Sequence, residues 1–344
     1  MEYLIPEWWF EELAGTGMWL VFVALVLSFA ILTKGADWFV DGASGLAVCS
    51  GIPKIIIGAT IVSIGTTSSE AAVSVMAAFR GHSGLALGNG IGSVICNTGF
   101  IFGLCCCVTV LPADRFILAR QGWVQFGSGA AFAALCYVLA ALGVFSIGRV
   151  VGAVLLGGLL WYMAMSVRWA RQHNRQNIAS VLNNVSERSR SKILKFLLLF
   201  AGGLGLVLVG SKGLIGSANQ ICRYYGVPES IIAATIVAFG TSLPELATAI
   251  TSIRKGHKEL LLGNIIGANI LNILFVIGAS AAVTDLSISR PFYVIHLPVL
   301  AVILILFCIY AMTSRTSFRR WYGVPLLVIY VGYVVLQYVV RIGS

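Results

Sequence analysis

An eleven-residue stretch of this chain occurs twice: Thr60-Ile-Val-Ser-Ile-Gly-Thr-Thr-Ser-Ser-Glu70 returns 175 positions later as Thr235-Ile-Val-Ala-Phe-Gly-Thr-Ser-Leu-Pro-Glu245. Each copy sets one carboxylate in otherwise apolar sequence. The chain is 58% apolar and 10% charged, with a mean hydropathy of +0.93, so most of it must sit in lipid. A charge in the bilayer interior costs at least ~2.5–3.5 kcal/mol, and such residues mark ion or proton sites by default. Two acids at matching places in a repeat therefore point to an ion-binding site rather than to a pair of buried structural acids.

Apolar runs of about 20 residues suit membrane-spanning helices. Ten such runs lie at roughly 15–47, 52–79, 83–111, 122–142, 150–168, 193–221, 227–253, 259–284, 292–313 and 322–340. Met18 to Ile31 follows Glu7, Glu11 and Glu12 instead of a basic stretch, so it reads as a retained first span and not a signal segment. Trp8, Trp9 and Trp19 suit an aromatic belt around an interfacial N-terminal segment, 1–14. The polar stretch 169–192 reads as a basic cytoplasmic linker between halves of five spans each, 15–168 and 193–344.

Cytoplasmic loops carry the excess of Lys and Arg. One set of loops holds sixteen of the 23 basic residues, the opposite set holds five, and Lys34 and Lys212 fall within spans. Both termini are thereby expected outside. The same bias accounts for the net charge of +10 and leaves no case for nucleic-acid binding. The eight cysteines lie mostly in apolar runs without metal-ligand spacing and read as small packing residues.

Glu70 falls in the second span and Glu245 in the seventh, an odd separation, so the two copies cross the membrane in opposite senses. The expected fold is an all-α polytopic membrane protein of ten transmembrane helices in two inverted five-helix repeats. Such repeats place a cation site near the midplane, where interrupted helices expose carbonyls. Gly65 to Ser69 and Gly240 to Pro244 carry the glycine, hydroxyls and proline that would interrupt each helix before its Glu. A second element recurs at the same offset: Gly88-Asn-Gly-Ile-Gly-Ser-Val-Ile-Cys-Asn97 matches Gly263-Asn-Ile-Ile-Gly-Ala-Asn-Ile-Leu-Asn272. Its Asn89 and Asn264 supply further oxygens, and its glycines permit close helix contact. Two carboxylates with carbonyls, hydroxyls and amides make an all-oxygen cage suited to Ca²⁺, with Na⁺ as its exchange partner.

At these motifs the chain resembles the cation/calcium exchanger superfamily, in its prokaryotic Na⁺/Ca²⁺ exchanger branch, over essentially its whole length. The resemblance implies a secondary antiporter, not an enzyme, with no cofactor and with Ca²⁺ and Na⁺ as transported substrates. It implies a multi-pass protein of the prokaryotic plasma (inner) membrane. The two motifs cover 58–97 and 233–272. It assigns Ca²⁺ to Glu70, Glu245 and the backbone oxygens of Thr66 and Thr241. It assigns Na⁺ or shared positions to Ser63, Thr67, Ser93, Ala238 and Ser242, with Asn97 and Asn272 near the centre. The first and sixth helices, through Gly35 to Gly45 and Gly210 to Ser217, correspond to the family's sliding gate.

Departures from the family pattern are Ser69 for Pro, Val94 for Asn, Ala268 for Ser and Asn272 for Asp. They leave H⁺ or K⁺ open as alternative coupling ions, with a passive cation channel as the remaining alternative. The sequence has no phosphate-binding loop motif, which argues against primary pumping. Asp37 and Asp41 could line the access path or pair with Lys34 one turn away. His82 and His257 read as solvated loop residues, and His296 as a packing histidine.

Overall fold

A backbone crossing lipid must satisfy its own hydrogen bonds, which long apolar helices do. A computed structural model describes residues 7–115, 118–181, 189–226, 238–314 and 316–342. Its helices are α1 (Glu7–Thr16), α2 (Met18–Ser50), α3 (Lys54–Phe79), α4 (Ser83–Val108), α5 (Leu118–Ala141) and α6 (Arg149–Val181). They continue as α7 (Ser189–Tyr224), α8 (Ala238–Gly240), α9 (Leu243–Arg254), α10 (Lys258–Val283), α11 (Phe292–Thr313) and α12 (Gly323–Ile342). Nine helices among the described residues are long and apolar enough to cross a membrane. The run at 227–253 is described only from Ala238, so Thr235, Ile236 and Val237 of the second motif lie outside the described residues. The polar stretch 169–192 is helical at both described ends, since α6 reaches Val181 and α7 starts at Ser189.

Burial separates an inner layer from an outer one. The most apolar stretch of α10 is 94% buried and those of α3 and α4 are 72% buried, against 17–39% for the other six spans. The polar site residues of the first motif and of α10 lie on this inner layer, while the outer helices turn side chains such as Phe29 and Leu198 outward. Helix stops also follow the repeat spacing. Gly51 and Gly226, then Gly81 and Gly256, end their helices with φ between 68° and 82°, a left-handed conformation that only glycine adopts cheaply.

Two short strand pairs join the halves of the chain. Strand β1 (Leu111–Pro112) pairs antiparallel with β4 (Ser317–Phe318), and β2 (Ser146–Ile147) pairs with β3 (Leu286–Ser287). Helices α2 and α7 pack directly through glycine. The backbone of Gly35 lies against Val207, that of Gly42 against Phe200, that of Gly203 against Phe39 and that of Gly210 against Leu32. The partners run in opposite order, so the two helices cross antiparallel.

The aspartates of α2 find their partners across the molecule and not at Lys34. Asp41 Oδ2 lies 2.6 Å from Lys255 Nζ, and Asp37 Oδ1 lies 3.7 Å from both Lys255 Nζ and Arg254 Nη2. Lys34 instead lies over the Trp38 ring at 5.9 Å. The reason is geometric: the turn between α9 and α10 brings two cations to the end of α2, and a tertiary contact displaces the local pair. His296 Nδ1 meets Tyr333 Oη at 2.7 Å, and His82 is exposed.

His257 differs from His82, because its Nδ1 lies 3.1 Å from Lys54 Nζ. Burial and then the Lys54 ammonium hold its pKa below the usual imidazole value. A depressed histidine pKa favours the neutral ring in the folded state. The stabilisation is therefore complete above the unfolded value of about 6.5 and is lost as pH falls through the folded pKa. The melting temperature should fall on acidification below pH ~6.5, and His257→Asn should flatten that acid limb. An unchanged limb in the variant would show that His257 does not set it.

Candidate functional site

Ser63, Thr67 and Glu70 share one face of α3, and Ser93 and Asn97 share one face of α4, by helical spacing. Ala268 and Asn272 do the same on α10. Glu70, Glu245, Thr66, Ser63, Thr67, Ser242, Asn97, Asn272 and Ala268 are fully buried, with Ser93 and Thr241 at 2% and 8% exposure. Ala238 opens α8, and its side chain lies outside the described residues.

The helices around the site are not regular. A π-helical segment, Gly58–Val62, precedes Ser63 in α3. Two more take in the central asparagines, Cys96–Phe102 in α4 and Asn272–Ile277 in α10. A π turn carries one extra residue and frees backbone carbonyls, and such turns concentrate at functional sites. The interruption expected before each Glu is present in only one copy. Between α8 and α9 the helix gives way to a turn at Thr241 and Ser242. There Pro244 offers no N–H and its ring crowds the carbonyl of Gly240, four residues back. In the first copy Ser69 stands in place of proline and keeps its N–H, and the helix from Ser63 to Phe79 runs unbroken.

Among the described residues Glu70 Oε1, Glu245 Oε1 and Glu245 Oε2 accept no well-aligned hydrogen bond, although the Thr66 hydroxyl and the two carboxyl groups themselves lie within reach. The fourth, Glu70 Oε2, accepts from Ser69 Oγ at 2.7 Å. The two carboxylates lie close enough to act on each other electrostatically. Like charges ~4 Å apart repel by about 4 kcal/mol at an effective dielectric constant of 20. The Thr67 and Ser93 hydroxyls and the side-chain amides of Asn97 and Asn272 also lack partners among the described residues. A buried polar group left unsatisfied costs about 1–3 kcal/mol. So much unsatisfied oxygen in one interior suits a cation far better than it suits the bare protein.

The other pair of repeated asparagines has a different task. Thr241 Oγ1 donates to Asn89 Oδ1 at 3.0 Å, while Asn89 Nδ2 donates to Ser74 Oγ at 2.9 Å and to the Glu70 carbonyl at 3.3 Å. In mirror fashion Thr66 Oγ1 donates to Asn264 Oδ1 at 3.3 Å, and Asn264 Nδ2 donates to Thr248 Oγ1 at 3.2 Å. Thr248 spends its own hydrogen on the Glu245 carbonyl at 2.9 Å, which fixes the orientation of the Asn264 amide. Asn89 and Asn264 thus tie each glutamate turn to the threonine of the other copy, rather than adding free oxygens. Tyr162 also acts here, donating from its buried hydroxyl to the Ala59 carbonyl at 2.9 Å. Only a tyrosine hydroxyl inside an apolar span signals that role in the sequence.

The chain as a whole resembles known proteins. The family model "Sodium/calcium exchanger protein" matches residues 20–168 and 195–339. The chain is 28% identical to the sodium/calcium exchanger MaX1 of Methanosarcina acetivorans, covering 92% of this chain and 98% of that protein. It is 32% identical to the inner membrane protein YrbG of Escherichia coli, covering 90% and 94%. Among solved structures, the sodium-calcium exchanger NCX_Mj soaked with Na⁺ and Sr²⁺ superposes with a TM-score of 0.78 at 28% identity, covering 91% of this chain and 97% of that one. By sequence and by structure, the chain belongs to the sodium/calcium exchanger protein family.

Proposed function

We propose that this protein is a secondary active antiporter that exchanges Ca²⁺ for Na⁺ by alternating access to one midplane site between Glu70 and Glu245. The observation that carries the reading is the pair of fully buried carboxyl groups from the two copies, brought within reach of each other, three of whose four oxygens accept no well-aligned hydrogen bond among the described residues. A divalent cation balances both charges and takes six to eight oxygens, for which Thr66 and Thr241 carbonyls and the nearby hydroxyls and amides are hard donors. Na⁺ at Ser63, Thr67, Ser93, Ala238, Ser242, Asn97 and Asn272 would displace it, and a site that holds one cargo or the other couples their gradients.

The wider reading is of ten spans in two inverted five-helix repeats, with both termini outside and the protein in the prokaryotic inner membrane. The antiparallel crossing of α2 and α7 supports inversion, as does the pairing of β1 with β4 and of β2 with β3. The two family matches also start at residues 20 and 195, which keeps the 175-residue spacing. Helices α2 and α7 meet backbone to backbone at glycines, which suits a pair that slides across the site.

Reconstituted protein should take up ⁴⁵Ca²⁺ against an outward Na⁺ gradient, with little uptake driven by K⁺ or H⁺ gradients alone. Uptake driven by H⁺ or K⁺ instead would overturn Na⁺ coupling, and uptake indifferent to every gradient would overturn antiport.

A further inference from the structure

The first copy of the motif places a hydroxyl where the second has Pro244. Ser69 is 6% exposed, and its Oγ lies 2.7 Å from Glu70 Oε2, 2.8 Å from the Thr66 carbonyl and 3.5 Å from the Thr241 carbonyl. A hydroxyl has one hydrogen. Donated to Glu70 Oε2, it leaves two carbonyl oxygens facing the Ser69 oxygen with nothing positive between them. A cation shared by all four oxygens turns those contacts from repulsive to attractive.

The spacing fits as well as the charge. In a shell of six to eight oxygens at 2.3–2.6 Å from Ca²⁺, neighbouring oxygens lie roughly 2.8–3.5 Å apart. The three separations at Ser69 are of that size, and all three partners are oxygens of residues assigned to Ca²⁺. We propose that Ser69 Oγ is a further Ca²⁺-binding oxygen of this chain, supplied by the first repeat alone. Pro244 cannot supply a mate, so the two halves contribute unequally to a site otherwise built from matching residues. The proposal rests on the Ca²⁺ site between Glu70 and Glu245.

The same residue accounts for the unequal helices. Its N–H keeps α3 continuous, so Ser69 and Glu70 share one helical turn, whereas Thr241 and Ser242 form a turn between two helices.

The experiment is Ca²⁺ titration of the melting temperature of purified full-length protein, which reports affinity through mass action without transport. Ser69→Ala should weaken Ca²⁺ binding about tenfold, the loss of one ligand contact. Ser69→Thr, which keeps the hydroxyl, should recover most of that affinity. Without Ca²⁺, Ser69→Thr should melt near the wild type and Ser69→Ala below it, because alanine loses the bond to Glu70 Oε2, so affinity is read from the concentration dependence of the shift that Ca²⁺ adds to each variant. Glu70→Gln, run alongside, should lose the Ca²⁺ response. A Ser69→Ala affinity equal to wild type, or a Ser69→Thr as weak as Ser69→Ala, overturns the role of the hydroxyl while Glu70→Gln still fails to bind. A Glu70→Gln protein that still binds overturns the underlying site itself.

Discussion

Glu70→Gln and Glu245→Gln should each abolish gradient-driven Ca²⁺ uptake in reconstituted vesicles while leaving the protein folded. Glutamine keeps the shape of the side chain and removes the charge, so the change isolates electrostatics. A Ca²⁺ ion facing one carboxylate instead of two should bind more than about 100-fold more weakly, a loss of roughly 2.7 kcal/mol. Stability should move the other way. With no cation bound, two ionised carboxylates in this interior would repel, and three of their oxygens accept no well-aligned hydrogen bond among the described residues. Neutralising either one relieves the repulsion, and removing charge from a costly buried site favours the fold. The ion-free variants should therefore melt at or above the wild-type temperature, and lose the stabilisation that Ca²⁺ gives the parent. This opposition between binding and stability separates a cation site from a structural pair of acids. Two structural acids would be hydrogen-bonded, and their replacement would lower the melting temperature with little effect on uptake. Wild-type uptake by either variant would remove that residue from the site.

Much of the site was legible because membrane burial makes polar residues costly. Glu70 and Glu245 stand out in apolar sequence, and the regular offset of Asn97 and Asn272 marks the second motif. What the sequence left hidden depends on tertiary contact. Asn89 and Asn264 read as extra oxygens, yet each spends its amide on the threonine of the opposite copy, a pairing no local pattern reveals. Lys34 stood one turn from Asp37, but the turn after α9 delivers Lys255 and Arg254 there instead. The interruption before Glu70 was expected from Gly65 and its hydroxyl neighbours. Hydroxyls and one glycine weaken a helix in lipid without breaking it, since serine can return a hydrogen bond to the preceding turn, as Ser68 does to Ile64 at 2.6 Å. Only Pro244, which removes a donor outright, ends the ladder.

The second large effect lies in the packing that holds the site together. Gly263→Ala should lower the melting temperature by on the order of 5 °C or more and weaken Ca²⁺ binding with it. A Cβ at Gly263 would fall onto the Ile55 carbonyl oxygen, 2.8 Å from the Ile55 carbonyl carbon and 3.0 Å from the Ala59 nitrogen. These are backbone atoms of α3 and cannot swing aside as a side chain would. Helix α10 is 94% buried over its most apolar stretch, so it has no open side to retreat toward. Overpacking of this kind costs about 1–3 kcal/mol or more. The displaced segment leads directly into Ser63, Thr66 and Glu70, while α10 carries Asn264 and Asn272, so separating the two helices pulls the halves of the cage apart. Gly205→Ala provides the contrast. That glycine is exposed on α7 with nothing within 4 Å of a new Cβ, and alanine there should be neutral or stabilising by about 0.5–1 kcal/mol. If Gly263→Ala instead melts and binds Ca²⁺ like Gly205→Ala, the close approach of α3 and α10 is not what sets the geometry of the site. If stability falls while Ca²⁺ affinity stays at the wild-type value, the contact supports the fold alone, and the spacing of the two glutamates must be fixed by the Thr66–Asn264 and Thr241–Asn89 bonds.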